Sequence, residues 1–574
     1  MIKNIKLILV LLALGFCNEV SAQLVHFTGV GRALFSTENF TDKSNEASEL
    51  KASGGYTMMD LGIYATPDEV LHANVILRQR NEFGGFFDNG TSLEFRQFQL
   101  EGLISKKVKY EIGDIYVSHT PYTIWNDETT FSEFESDLFK IRRDIAFYEN
   151  FIIDNNWRMQ GVNAKTRITN FEKGIESVGI RAYAGRTRST DFSTIPDRYY
   201  YGGRLDLEQS KNFTVAANLA AISDIVGTVD AASVDYDNAV YSLDFNYLFE
   251  KDDKFSLAVK GEAGGSYFSL SREEDSVANT FSDYFYDFGG EANYKPLNLL
   301  VGVSYRYVGH NFNSPMAQTR RVAAPGDISL TYFPTLNDDA SVRPFTLFDR
   351  FAQENTMYNQ SISTTLMNYM IQYDMVEPYG QATPNRKGLT MNAKIKDSKN
   401  YFSASLEYDL LSEVVSEGDS LTKETRKFSK LQGGAIVNVH EMLGFKKMIM
   451  LTAGVQLENS SREGTNAIDL GSSLIDVGVD LEVVKNLHLL GGAKLFSVKG
   501  TELQTGRDEL NQIVAFSPVN FDESQSTLAV GLRYDYDKKA YFSMQGNFVN
   551  YEDGNSATSQ FDLNQLFMVF GLKF

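Results

Sequence analysis

The chain has one cysteine, Cys17, in 574 residues. It sits in an N-terminal stretch that reads as removable. Lys3 and Lys6 precede an apolar run from Leu7 to Phe16, and Val20-Ser21-Ala22 supplies small residues for cleavage before Gln23. This is the pattern of a secretory signal peptide over residues 1–22. An apolar run of about 10 residues is too short to cross a bilayer core of ~30 Å as a helix. Phe16 is also too large for the position before a lipid-modified cysteine. Without Cys17 the chain has no disulfide framework, thiolate metal site or thiol nucleophile.

Other shortages exclude more. Lys and Arg total 54 against 74 Asp and Glu, a formal charge of −20. A nucleic-acid partner would call for a basic patch, so none is expected. Past the signal, no run reaches the ~18 consecutive apolar residues of a membrane-spanning helix. There is no G-x-S-x-G elbow, no Walker-type phosphate loop and no G-x-G-x-x-G after a strand. His440-Glu441 begins an H-E-x-x-H motif, but Gly444 stands where the second histidine belongs. The six histidines are scattered. His72 and His488 fall on the polar parity of their strands, which gives no Ser–His arrangement for a lipase-like site. The expectation is no catalytic centre, no metal and no cofactor.

What the chain does have is 41 Phe, 30 Tyr and 44 Gly, with only 11 Pro, and alternation from end to end. Phe402, Ala404, Leu406, Tyr408 and Leu410 interleave with Ser403, Ser405, Glu407 and Asp409. Tyr241, Leu243, Phe245 and Tyr247 interleave with Ser242, Asp244 and Asn246; Ile475, Val477, Val479 and Leu481 with Asp476, Gly478, Asp480 and Glu482. In a strand, successive side chains point to opposite faces, so each ribbon separates an oily environment from a charged one. The charged face is too polar for a soluble sandwich interior, and the oily face often ends in Tyr or Phe. Short polar turns, such as 105–107, 208–212 and 537–539, alternate with longer loops. A membrane-spanning closed sheet has these properties.

The last residues sharpen this. Leu566, Met568, Phe570, Leu572 and Phe574 alternate with Gln565, Phe567, Val569, Gly571 and Lys573, and the chain ends on Phe. This segment resembles the terminal strand of bacterial outer-membrane β-barrel proteins, whose last aromatic is read by the assembly machinery. The resemblance implies that Phe570, Leu572 and Phe574 act as an assembly signal. It also implies a Gram-negative outer membrane, with its lipids and the barrel assembly machinery as partners. The fold expected is an all-β, antiparallel, up-and-down transmembrane β-barrel of about 22 strands, within a range of ~18–24. It fills one domain over 23–574 and has no N-terminal plug domain.

Two connections break the spacing, 119–156 and 311–388. The first carries Phe134, Leu138, Ile141 and Ile145 and the second Ile362, Leu366, Tyr369, Met370 and Tyr373, both at helical spacing. Each is expected to cap the mouth, enter the lumen or lie as a surface loop. Acidic stretches at Glu273-Glu274-Asp275 and Asp338-Asp339 read as solvated surface rather than a calcium loop. Basic residues expected on the lumen face are Arg78, Arg80, Arg181, Arg204, Arg306 and Arg533. Acidic ones are Glu101, Asp244, Glu262, Glu407, Asp409, Asp476, Asp480, Glu482 and Asp535. They line a pore or pair across strands to stiffen the wall.

Three functions fit. A porin-like solute channel with a loop-narrowed lumen leads, with mild cation preference from the acidic excess. A barrel subunit or scaffold of a secretion, assembly or surface complex is the alternative, for which Tyr332, Phe333, Phe345 and Phe348 suit a docking surface. A barrel enzyme is third. In detergent the protein is expected to show a β-type far-ultraviolet spectrum and a gel mobility that changes on boiling. A helical spectrum, or recovery in a soluble fraction, refutes the barrel.

Overall fold

Two-faced ribbons are stable in lipid only when every N–H and C=O finds a neighbouring strand, and a ring alone does this without leaving edges. The structure, a computed structural model, shows such a ring. It describes residues 24–574 except 45–48, 68–69, 84–90, 128–132, 151–152, 170, 172–173, 194–195, 226, 230–233, 273–276, 320–365, 367–368, 370, 419–420, 508–512 and 557–559. Residues 1–22, the acidic stretches at 273–275 and 338–339 and the four loop aromatics lie outside the described residues.

The strands run β1 Leu24–Asp42, β2 Glu49–Thr66, β3 Leu71–Glu82, β4 Thr91–Ile104, β5 Val108–Val117, β6 Trp157–Ile168, β7 Ser177–Arg188, β8 Arg198–Ser210, β9 Phe213–Asp224, β10 Val234–Asp252 and β11 Phe255–Arg272. They continue as β12 Val277–Tyr294, β13 Leu299–Val308, β14 Arg386–Lys396, β15 Phe402–Ser412, β16 Lys427–Asn438, β17 Ile449–Arg462, β18 Ile468–Val484, β19 Leu487–Arg507, β20 Ile513–Asp535, β21 Ala540–Asp553 and β22 Phe561–Lys573. Each pairs antiparallel with the next, and β1 closes on β22 from Val30↔Lys573 to Asp42↔Phe561. The expected architecture and strand number are both present. Two short helices complete the described residues, α1 Asp137–Asn150 and α2 Val439–Leu443, with a 3-10 turn at Lys295–Leu297. No helix among them is long and apolar enough to cross a membrane.

The strict sorting of connections by length does not hold. On one side, here the turn side, most links are tight, but 439–448 is longer and contains α2. On the other, the loop side, 463–467 and 508–512 are short. There the length lies in the strands themselves, since β19 and β20 carry their pairing out to Arg507↔Ile513. Extending a hairpin satisfies backbone groups that a bare loop would leave to water.

The alternation places its oily face outward. Leu528 and Val530 are 56% and 58% exposed, while Thr527 and Ala529, which alternate with them, are 1% and 2% exposed. Tyr241, Leu243, Tyr284, Phe288, Val301 and Val303 share the outer surface. The ring is therefore a transmembrane barrel whose belt faces lipid and whose buried side chains lie inside.

Closure ends on the last residue. Gly29 N–H donates to the Phe574 carbonyl at 2.8 Å and Phe574 N–H donates back at 3.0 Å. The Phe574 ring lies over Gly29, where any Cβ would collide with it. Phe570, Leu572 and Phe574 all face outward at this seam. Phe574→Ala removes the ring that covers the closing pair, and Gly29→Leu displaces it. Both are expected to lower the fraction of protein with boiling-sensitive mobility, Gly29→Leu more strongly. Wild-type levels in both would mean that the seam does not need this contact.

Candidate functional site

A ring this wide cannot be filled by the side chains of its own wall. Here the chain fills it with the segments between β5 and β6 and between β13 and β14.

The first segment turns inward after β5. Phe134, Leu138 and Ile145 are buried and lie on one face of the turn and helix that follow, as their spacing predicts. Leu138 and Phe139 pack on Leu490 and Ala529, and Ile145 on Phe567 and Val569 of the inner face of β22. The wall makes room with glycine: a Cβ at Gly434 would meet the Phe134 ring, and one at Gly478 would meet Ser136. Charges fix the N-terminal end. Glu135 pairs with Lys494 and with Arg143 at 3.1 Å, Ser136 N–H donates to Asp476 at 3.3 Å, and Asp137 meets Arg533 at 3.1 Å. Asp480 is held in turn by His488 at 2.6 Å and Arg533 at 3.4 Å.

The C-terminal end of α1 enters a basic cradle on β1–β4. Glu149 pairs with Arg32 and, at 3.3 Å, with Arg80, and accepts from the Tyr56 hydroxyl. Tyr148 donates to Asp60 at 2.5 Å, and Arg78 grips Asp60 through two bonds of 2.6 Å. Arg80 stacks on Tyr56 at 3.6 Å. Burial pushes the Glu149 carboxyl up, but Arg32 and Arg80 with the Tyr56 hydroxyl outweigh it and hold it below the usual range.

The described parts of the second segment, 309–319, 366, 369 and 371–385, pack against the loop-side half of the wall. Trp157 donates to the Met316 carbonyl at 2.6 Å and Tyr236 to Asn313 at 2.7 Å. Phe312 packs on Phe285, whose other face stacks on Tyr122 of the first segment. Glu377 pairs with Arg306 at 2.6 Å and Lys430 at 3.6 Å, Asp409 meets Arg306 at 3.1 Å, and Glu458 accepts Met375 N–H at 2.8 Å. Helical spacing over 362–373 does not give a helix in the described part: residues 371–385 form turns. Pro378, Pro384 and a left-handed Gly380 (φ 77°) break any run there. Backbone groups go to the wall instead, as when Arg386 donates to the Val376 carbonyl at 2.9 Å.

Toward the turn side two adjoining cavities lie against β4–β14, and a third, of about 570 Å³, lies at the ends of β1 and β20–β22. One of about 390 Å³ is lined by Tyr122, Trp125, Asp244, Lys260, Glu262, Asp287 and Glu291. The other, about 510 Å³, is lined by Lys107, Lys109, Lys165, Arg167, Arg181 and Asp206. His119 and Arg204 border both. Among the described residues no group of three His, Cys, Asp or Glu could hold a metal.

The candidate lining residues thus divide. Arg181, Arg204, Asp244 and Glu262 border the cavities, and Glu101 pairs nearby with Lys109. Arg78 and Arg80 clamp the end of α1, while Asp476, Asp480 and Arg533 hold its start. Asp535 braces Arg533 at 3.2 Å. Arg306 and Asp409 bind the second segment, and Glu407 accepts from Gln432 at 2.8 Å. Glu482 caps the tight turn, accepting Asn486 N–H at 3.1 Å. Sequence reasoning missed Arg32, Asp60, Arg96, Tyr148 and Glu149. It also missed that the inner face of β5–β11 turns apolar toward the loop side, at Val117, Met159, Tyr200, Ile222 and Leu270. The available signal was loss of alternation, as in Leu219-Ala220-Ala221-Ile222.

The ring defines a transmembrane β-barrel with segments of its own chain packed inside it. No protein-family model matches the chain, and no curated protein does. Among solved structures, OpdR of Pseudomonas aeruginosa is 9% identical with a TM-score of 0.32, over 96% of this chain and 96% of its own. A BenF-like porin from Pseudomonas fluorescens is 8% identical at 0.33, over 96% and 99%. OpdF of P. aeruginosa, solved in complex with glucuronate, is 9% identical at 0.33, over 96% and 98%. Likeness this slight carries no argument, and the fold rests on the strand pairing of this chain.

Glu149→Gln removes the carboxylate that Arg32 and Arg80 share, a loss of about 3–5 kcal/mol for a buried pair. The variant is expected to keep its barrel but to exchange amide hydrogens of α1 faster. Because the Glu149 carboxyl is depressed in the docked state, its contribution is present at neutral pH and is lost as pH falls through the depressed value. Wild-type α1 should therefore loosen in acid. Equal protection in variant and wild type would show that the charges do not hold the helix.

Proposed function

We propose that this protein is a porin-like solute channel of a bacterial outer membrane, narrowed by the segments between β5 and β6 and between β13 and β14. The observation that carries this is the contrast inside one lumen. The loop-side half is packed with apolar and hydrogen-bonded contacts, whereas the turn-side half keeps charged cavities large enough for small solutes. A structural wall has no need of such cavities, while a selective channel needs both a constriction and a polar chamber. On this reading the short turns face the periplasm, and the residues bordering the cavities, among them Arg181, Arg204, Asp244 and Glu262, line the route. The seal formed by Met316, Tyr373 and Met375 against the wall favours a second reading, a scaffold or subunit of a surface complex with a permanently blocked lumen.

Planar-bilayer recording separates the two. Purified full-length protein is expected to conduct in small steps. Replacing Leu138 to Glu149 with a Gly/Ser linker is expected to raise the step size, since it removes the apolar and ionic wedge along β17–β22 and β1–β4. Folding is checked by boiling-sensitive mobility. If neither protein conducts, the channel reading falls and the scaffold reading takes its place.

A further inference from the structure

One link on the turn side is built unlike its neighbours. Most of those links are tight, but 439–448 carries α2 and then Gly444, whose left-handed backbone (φ 71°) ends the helix. Every residue from Glu441 to Lys447 is exposed. Met442, Leu443 and Phe445 are apolar and each more than half exposed, and Lys446 and Lys447 follow directly. The turn between β18 and β19 adds to them. A shift in register between Glu482 and Val484 leaves Val483 and Val484 both exposed, with exposed Lys485 after them. The two links are bonded together. The Lys447 ammonium donates to the Val483 carbonyl, and Glu482 N–H donates to the Met448 carbonyl at 2.9 Å.

The depth of this patch says what it meets. Outward side chains of β17 are apolar from Ile449 to Leu457 and turn polar at Asn459 and Ser461. Those of β18 are apolar from Val483 back to Ile475 and turn polar at Ser473. Each run is about the 9–11 residues that a tilted strand needs to cross the hydrocarbon core. The core therefore ends at Ile449 and Val483, and α2 with Phe445 lies at the next level, where lipid headgroups stand. The apolar side chains there continue the lipid belt rather than forming an island in water.

Charge fits the same neighbour. Glu482 is spent on backbone, accepting from Asn486 N–H at 3.1 Å and Met448 N–H at 3.2 Å, and Glu441 lies beside His440 at 3.5 Å. No ion pair joins Lys446, Lys447 or Lys485 to a described residue. In a chain of net charge −20, three such lysines among exposed apolar side chains suit an anion that carries a hydrocarbon tail.

We propose that the 439–448 link and the β18–β19 turn form a binding site for an anionic phospholipid of the turn-side leaflet. Its phosphate meets Lys446, Lys447 and Lys485, and an acyl chain lies along Met442, Leu443, Phe445 and Val484. Lysine stems can rest on apolar surface while their ammonium heads reach the phosphate level. The site goes beyond the channel reading and does not depend on conduction. On the orientation proposed above, the leaflet is the periplasmic one.

The test is fluorescence quenching in vesicles. Full-length Leu443→Trp protein is reconstituted into phosphatidylcholine containing the same minor fraction of either brominated phosphatidylcholine or brominated phosphatidylglycerol. Trp125 and Trp157 both bond to the Met316 carbonyl inside the barrel, so protein without the substitution supplies the background. Brominated phosphatidylglycerol is expected to quench the introduced tryptophan about twofold more than brominated phosphatidylcholine does. Salt near ~1 M should weaken that preference, because it shortens the Debye length. Adding Lys446→Gln, Lys447→Gln and Lys485→Gln together should abolish it. Lys295→Gln, on the β12–β13 turn of the same rim and paired with Glu250 at 3.4 Å, should leave it unchanged. Boiling-sensitive mobility checks that each variant is folded. No quenching by either lipid places the link in water and overturns the site. Equal quenching by both lipids, or a preference that survives the triple lysine change, overturns the headgroup assignment.

Discussion

A backbone in lipid has no water to fall back on, so all 22 strands depend on the ring being closed. Closure abolishes the edge between β1 and β22 and commits the chain to a lumen that its wall side chains cannot fill. Everything inside the barrel answers that one consequence. Apolar segments enter where the wall turns apolar, charged ends find charges of opposite sign, and what is left over becomes cavity.

The filling is arranged by electrostatics as much as by shape. α1 is apolar in its middle, where Ile145 meets Phe567 and Val569, and ionic at both ends, where Asp137 meets Arg533 and Glu149 meets Arg32 and Arg80. Each buried side chain of Leu or Phe size contributes roughly 1.5–3 kcal/mol. The ion pairs add little net energy, since desolvation offsets their attraction. They set position instead: a helix slid by one turn would leave three arginines and two carboxylates mismatched. The second segment follows the same rule with Glu377 between Arg306 and Lys430. The turn-side cavities are the space that the described parts of the two segments leave open.

Several features were readable from residue order. Period-2 alternation gave the orientation of strands such as β10, β15 and β18, and Phe134, Leu138 and Ile145 gave a helical face. Others were hidden for physical reasons. A lumen residue touching water and one touching α1 have the same parity, so Asp244 at a cavity and Asp476 under α1 look alike in sequence. Where an inserted segment covers the wall, as at Tyr200 and Ile222, the inner face turns oily and the alternation blurs. The helical spacing over 362–373 lies largely outside the described residues, and its last part, 371–373, is turn.

The sequence by itself determined the kind of solution: an aromatic-rich, acidic chain of alternating ribbons has to close into a barrel in lipid, because no other arrangement satisfies its backbone and both of its faces. Only the tertiary structure decided what the lumen holds. Pairings such as Arg32 with Glu149 join residues far apart in the chain, and nothing local to either one names its partner.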